Sequence, residues 1–241
     1  MSYEQPQALS PDDWLNAFVP LGALDGQQWT SCGAGVLLLD NPLVWLFTTK
    51  TVVAATGSLP LAAWVPDDQD GTIVDLTTDR SPETGWLAHP TADLIACLFP
   101  VDPKWRVKAF VEARCFPTED LQPLLPVASM GCAYGLTPLT SRPRPLVLSG
   151  NVASCVDGVV ITTAPLLPRN SGAPLLVPLP PQAGGGVALA GISTATLSVP
   201  ESVQSTAPPV RLTSAVPISA ALGLIRSNQG KAQRKAALAK A

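Results

Sequence analysis

The stretch 168-PRNSGAPLLVP-178 decides how this chain is read. Ser171 stands between Asn170 and Gly172, and Ala173 and Pro174 lead straight into the apolar run Leu175-Leu176-Val177. A turn of small residues opening a buried strand is a place where a hydroxyl can be presented at the mouth of a sheet. The question is whether the Ser171 hydroxyl has the neighbours that chemistry needs.

Apolar runs of strand length recur on both sides of it: 35-GVLLLD-40, 43-LVWLFT-48, 72-TIVDL-76, 93-DLIACLF-99, 146-LVLSG-150, 158-GVVITT-163, 174-PLLVPL-179 and 186-GVALAGIST-194. Each is rich in Val, Leu and Ile and bounded by Gly, Pro, Asp or Asn, the pattern of an all-β sandwich or barrel. The 26 prolines punctuate loops and exclude long helices. Two helices are expected, one over 11–18 with Ser10 as its cap, the other from about Ser219 into the C-terminal tail. A proline-rich stretch, 116-FPTEDLQPLLP-126, divides the strands into two groups.

Charged residues make up only 14% of the 241-residue chain and apolar residues 46%, so much surface is buried, part of it against a partner. No run is long and uniform enough to cross a bilayer. The acidic start, MSYEQPQALSPDDW, has neither the basic region nor the apolar region of an export signal, which implies a cytoplasmic location, an organellar interior staying open. Five scattered cysteines with no CxxC pair read as reduced and structural, and one histidine beside them offers no metal-ligand spacing. The turn 66-PDDQDG-71 lacks the ligand spacing of a calcium loop. Trp45, Trp64, Trp86 and Trp105 read as packing residues. Neither a phosphate-binding glycine loop nor a dinucleotide fingerprint occurs, and no cofactor is expected.

The net charge of −3 is unevenly spread. From Ser202 onward there are six basic residues and no acid, which leaves 9 basic and 18 acidic residues in the body. Lys231, Arg234, Lys235 and Lys240 in the tail are candidates for docking onto an acidic protein surface. Without interleaved aromatics, nucleic acid is a partner only through the charge of this tail.

Taken in order, these segments resemble the chymotrypsin-fold serine proteases, most closely the HtrA-type branch. Gly33-Ala34-Gly35-Val36 is similar to the family's G-S-G-V strand opening, and 48-TTKTVV-53 stands where the family reads T-x-x-H-V-V. Next, 90-PTADLIAC-97 resembles the segment of the catalytic Asp, and 161-ITTAPLLPRNSGAPL-175 that of the nucleophile. The stretches 189-LAGISTA-195 and 213-TSAVPISAAL-222 resemble the following strand and the closing strand and helix. The resemblance spans roughly residues 30–225. It implies a trypsin-like double β-barrel, two six-stranded antiparallel barrels with a C-terminal helix. The implied divisions are an extension over 1–13, lobes over 14–115 and 127–227, a connection over 116–126 and a basic tail over 228–241.

Carried over residue by residue, the resemblance puts Ser171 at the nucleophile position and Asp93 at the orienting position. The position of the base falls on Thr51, which cannot take a proton near neutral pH. The oxyanion glycine falls on Arg169, whose Cβ is costly in the backbone geometry that glycine adopts, and a second glycine is Ala173. His89, the only histidine, is four residues before Asp93 and reads as an ordinary loop residue. Lys50 is expected to face away from Thr51 along a strand and not to serve Ser171. The resemblance therefore implies a pseudoprotease acting as a scaffold or interaction subunit of a multi-subunit protein assembly. Two alternatives stand beside it. One is a peptide-binding module in which Pro165, Leu167, Ile192 and Thr194 line the former cleft; the other is a residually active serine hydrolase.

Overall fold

A computed structural model describes residues 14–67, 71–77, 85–132, 145–183, 185–198 and 211–240. The expected N-terminal extension, residues 11–13 of the helix expected over 11–18 and the centre of the acidic turn lie outside them. The rest of that expected helix is a single 3-10 turn, Trp14–Ala17, followed by a strand that starts at Phe18. The elements that follow are β1 (Phe18–Asp25), β2 (Gln28–Asp40), β3 (Leu43–Thr48), α1 (Lys50–Ala55), β4 (Leu61–Val65), β5 (Thr72–Asp75), β6 (Leu87–Ala88), β7 (Ile95–Leu98) and β8 (Phe110–Val111). The second group is β9 (Pro126–Cys132), β10 (Pro145–Val156), β11 (Val159–Thr162), β12 (Pro174–Pro178), β13 (Val187–Ser198), β14 (Arg211–Pro217), α2 (Ile218–Arg226) and α3 (Asn228–Lys240).

The protein is mostly β. The second group closes into a six-stranded antiparallel barrel in the order β10-β11-β14-β13-β12-β9. The first group forms an eight-stranded sheet along β5-β4-β1-β2-β3-β7-β6, with β8 parallel to β2, and this sheet is open among the described residues. One closed barrel thus stands where two were expected. The ends of the open path, β5 and β6, are the short strands on either side of residues 78–84.

Alternation along the strands explains why the runs read as continuously apolar. In β2 and β3, Val36, Leu38, Trp45 and Phe47 face a core shared with Met130, Leu176, Leu189 and Ile192 of the barrel. Their neighbours Leu37 and Leu46 turn the other way, into a core with Leu21, Leu61 and Phe99. In the barrel, Leu175 and Val177 point inward to Val127, Val152 and Val160, while Leu176 joins the shared core. Strands that bury both faces leave no polar register.

The C-terminal region is not a free tail. Helix α2 packs Ile218, Ala221, Leu224 and Ile225 into the shared core, and α3 folds back onto the first sheet. Arg234 donates to Asp40 Oδ1 and to the Asn41 carbonyl, each at 2.9 Å, and the buried Gln233 donates to the Gly85 carbonyl at 2.9 Å. Of the four basic residues expected to dock a partner, Arg234 is therefore engaged within the chain, Lys231 and Lys235 are exposed, and Lys240 ends the helix. No described helix is long and apolar enough to cross a membrane.

Gly230 seats α3 on α2: a Cβ there would stand 2.2 Å from the Ile225 carbonyl oxygen, whereas one at Gly223, in the middle of α2, meets nothing within 4 Å. Gly230→Ala is expected to lower stability by about 1–3 kcal/mol through overpacking. Gly223→Ala is expected to raise it by about 0.5–1 kcal/mol through helix propensity. Urea denaturation of the two variants beside the unmodified chain checks both signs.

Candidate functional site

Three pieces of backbone converge on Ser171. The first is its own turn. Asn170 is fully buried, and its side chain accepts from Cys132 N–H at 2.6 Å and donates to the Cys132 and Pro168 carbonyls at 2.9 Å, which pins the turn to β9. Gly172, at φ 88°, lies so close to β2 that a Cβ would be 2.0 Å from the Ala34 carbonyl oxygen. Ala34 N–H in return donates to the Ser171 carbonyl at 2.8 Å. The second piece is the start of α1, and the third is β13, held to the turn by Gly172 N–H donating to the Ser193 carbonyl at 2.7 Å.

The segment 48-TTKTVV-53 was expected to run on as a strand, but it turns into α1 at Thr49. The buried Thr49 caps the helix, its Oγ1 accepting Val52 N–H at 3.2 Å. Lys50 and Thr51 are consequently successive helical residues, about 100° apart around an axis of about 3.6 residues per turn, not on opposite faces of a strand. Thr51 N–H and Oγ1–H both donate to the Asp93 carboxylate, at 3.1 and 2.8 Å. Asp93 thereby satisfies a backbone donor that the first turn of a helix leaves open.

Ser171 Oγ donates to the Thr194 carbonyl at 2.6 Å and meets Thr49 Oγ1 at 3.0 Å. A hydroxyl has one proton, so with that of Ser171 given to Thr194, Thr49 is the donor in the second bond. The chain of donation runs Thr49 to Ser171 to the Thr194 carbonyl. Neither partner of Ser171 is a base, since a hydroxyl and a carbonyl oxygen do not hold a proton near neutral pH. Asp93 and Thr51 are brought together, and Ser171 is brought to Thr49 and Thr194. The residue that joins Ser171 to α1 is Thr49, which sequence reading passed over; the only signal for it was a threonine at a capping position.

Arg169, two residues before Ser171, adopts φ 60°, the left-handed conformation that glycine reaches without strain, and its side chain is exposed. His89 is held in its loop, Nδ1 accepting from Ala92 N–H at 3.0 Å and Thr91 N–H at 3.3 Å. Of the four residues expected along a peptide cleft, Ile192 is fully buried in the shared core and cannot line an open surface. Pro165 is exposed, Leu167 is half-buried, and Thr194 is tied to Ser214, its Oγ1 donating to the carbonyl at 3.1 Å. Ala173 is fully buried. All five cysteines are free thiols. Burial pushes Cys32, near the Arg169 charge, up to about 11, and burial together with the Glu112 charge pushes Cys115 up to about 12.

No protein-family model matches this chain, and no curated protein matches it in sequence.

Two outcomes follow from this geometry. Arg169→Gly is expected to raise stability by about 1 kcal/mol, because it removes a left-handed conformation from a residue with Cβ; thermal denaturation reads the change. At pH 8 the native chain is expected to leave Cys32 and Cys115 unmodified by iodoacetamide, since thiols titrating near 11 and 12 hold almost no thiolate there. Unfolding in urea should expose both to rapid alkylation, read by mass spectrometry of the peptides.

Proposed function

We propose that the chain is a chymotrypsin-fold domain of the HtrA-like kind that carries out no proteolysis and serves as a scaffold or interaction subunit of a larger protein assembly. On this reading the closed barrel is the C-terminal lobe of about 127–227, and the open sheet stands where the family's N-terminal lobe, about 14–115, has its barrel. The compartment is the cytoplasm or the interior of an organelle.

The observation that carries the reading is the hydrogen bonding of Ser171. Its proton goes to the Thr194 carbonyl, while Thr51, at the position where the family has its base, is bound to Asp93. Loss of a base from such a triad removes several orders of magnitude in rate, and the strained, exposed Arg169 stands where the family uses glycine. A second reading, a peptide-binding cleft, is favoured by β13. Beyond Ile192 it pairs with β14 alone among the described strands, and Ala195, Thr196 and Leu197 are exposed.

A fluorophosphonate probe is expected to label the native chain no more than its Ser171→Ala variant. Labelling that depends on Ser171 would sink the reading. In the double variant Thr51→His with Arg169→Gly, which supplies a base and a glycine, labelling should rise at least tenfold. Native size-exclusion of an extract of the source cells should place the chain in a complex of fixed stoichiometry. Elution alone near 25 kDa would remove the interaction role.

A further inference from the structure

A groove of about 710 Å³ lies beside the Ser171 cluster and meets it only through Asp93 and Thr194; Ser171, Thr49 and Thr51 do not line it. Its walls are the loop from His89 to Asp93, the tip of the β10–β11 hairpin, the end of β14 and the start of α2. The volume is within the range of sites that bury a ligand or an anchoring side chain, about 300–1,000 Å³.

The lining has a consistent charge. It contains two carboxylates, Asp93 and Asp157, and neither Lys nor Arg. Among the described residues, the hydrogen bonds that Asp93 accepts come from the neutral donors of Thr51 and not from a cation. Asp157 stands at the hairpin tip, where Asp157 at φ 52° and Gly158 at φ 74° form the tight turn that joins β10 to β11. The Asp157 side chain is exposed and makes no hydrogen bond or ion pair among the described residues. On either side of it Val156 is 58% exposed and Val159 40%. Ser219 and Ala220, in the first turn of α2, also line the groove, where backbone N–H groups of a helix start lack partners inside the helix.

We propose that this groove is the surface on which the domain receives its protein partner, and that the partner enters with a segment carrying lysine or arginine beside a small apolar side chain. The cation reaches Asp157 and Asp93, the apolar side chain covers Val156 and Val159, and carbonyls of the segment meet the N–H groups at the start of α2. The charge of the body, 18 acidic against 9 basic residues before Ser202, steers the same kind of segment toward it and repels acidic ones. The inference rests on the interaction role proposed above and adds its place and its chemistry.

The test is selection of random nonapeptides displayed on phage against the immobilised full chain. Peptides enriched in Lys and Arg are expected, and their affinity should fall as salt is raised from 0.05 to 0.5 M, as screening of an exposed ion pair requires. Asp157→Asn keeps a residue that tolerates the left-handed turn and should weaken binding about threefold. Asp157→Lys should weaken it about tenfold or more. Peptides without a basic excess, affinity unchanged by Asp157→Lys, or no capture above background would each overturn the groove. Peptides displaced by Ala195→Trp and not by Asp157→Lys sit on β13 and overturn it as well. Failure of the interaction role is seen separately, as elution of the chain alone in the native extract.

Discussion

Gly172 packs against β2 so tightly that any side chain would collide with the Ala34 carbonyl oxygen, and the two sheets are fastened to each other at this contact. Around it stand the bond from Ala34 N–H to the Ser171 carbonyl and the bond from the buried Thr48 hydroxyl to the Ala34 carbonyl at 2.6 Å. Asn170, saturated by Cys132 and Pro168, prevents the turn from relaxing away on the barrel side. The position of Ser171 over the start of α1 is therefore set by backbone contacts, not by its own hydroxyl. Each of these polar groups is buried or nearly so, and removing one partner would leave another unsatisfied, at about 1–3 kcal/mol apiece. The same fastening holds the apolar faces of β2, β3, β12 and β13 together as one shared core.

Most strands were legible because their apolar runs are uniform: 35-GVLLLD-40, 43-LVWLFT-48 and 174-PLLVPL-179 fall inside β2, β3 and β12 with shifts of a residue or so. Strands β1, β4 and β9, and the two-residue β6 and β8, were not. In β1, Phe18–Asp25, Pro20 and Gly22 interrupt the run, and Ser10-Pro11 upstream imitates a helix start. In β4 and β9, the segments 61-LAAWV-65 and 126-PVASMGC-132 are buried on both faces, so no alternation marks them, and their small residues (Ala62 and Ala63; Ala128, Ser129 and Gly131) dilute the β-branched signal of a strand. The β-branched threonines and valines of 48-TTKTVV-53 argued for a strand, and a capping threonine with a carboxylate 42 residues away made it a helix. Tertiary partners overrode a local propensity worth a few tenths of a kcal/mol per residue.

The C-terminal helix illustrates the same limit from the other side. Its composition, with Leu238 as its one large apolar residue, gives no reason for it to dock, and short helices that bury little are marginal in water. Its anchors are polar and distant: Gln233 reaches Gly85 across 148 residues and Arg234 reaches Asp40 across 194. Such pairings carry no local signature. They also divide the described basic side chains of the tail into Arg234, committed to the fold, and Lys231 and Lys235, left exposed, a distinction that charge counting cannot make.

The candidate site was legible in its residues but not in its bonds. Sequence reading singled out Thr51, Asp93 and Ser171; it does not predict that Thr51 would bind Asp93 by two bonds or that Thr49 would reach Ser171. Magnitudes decide which of these features governs reactivity. Freeing the Ser171 hydroxyl from the Thr194 carbonyl costs about 1 kcal/mol, the net worth of one hydrogen bond, or roughly a factor of five in rate. Strain at Arg169 is of similar size, about 1–2 kcal/mol. On the proposed reading, the absence of a proton acceptor beside Ser171 among the described residues is of another order, since triad members acting together contribute a factor of about 10⁶. On that reading, then, the hydroxyl network around Ser171 fills the polar requirements of a part-buried site, and the missing base outweighs Arg169 in the loss of chemistry.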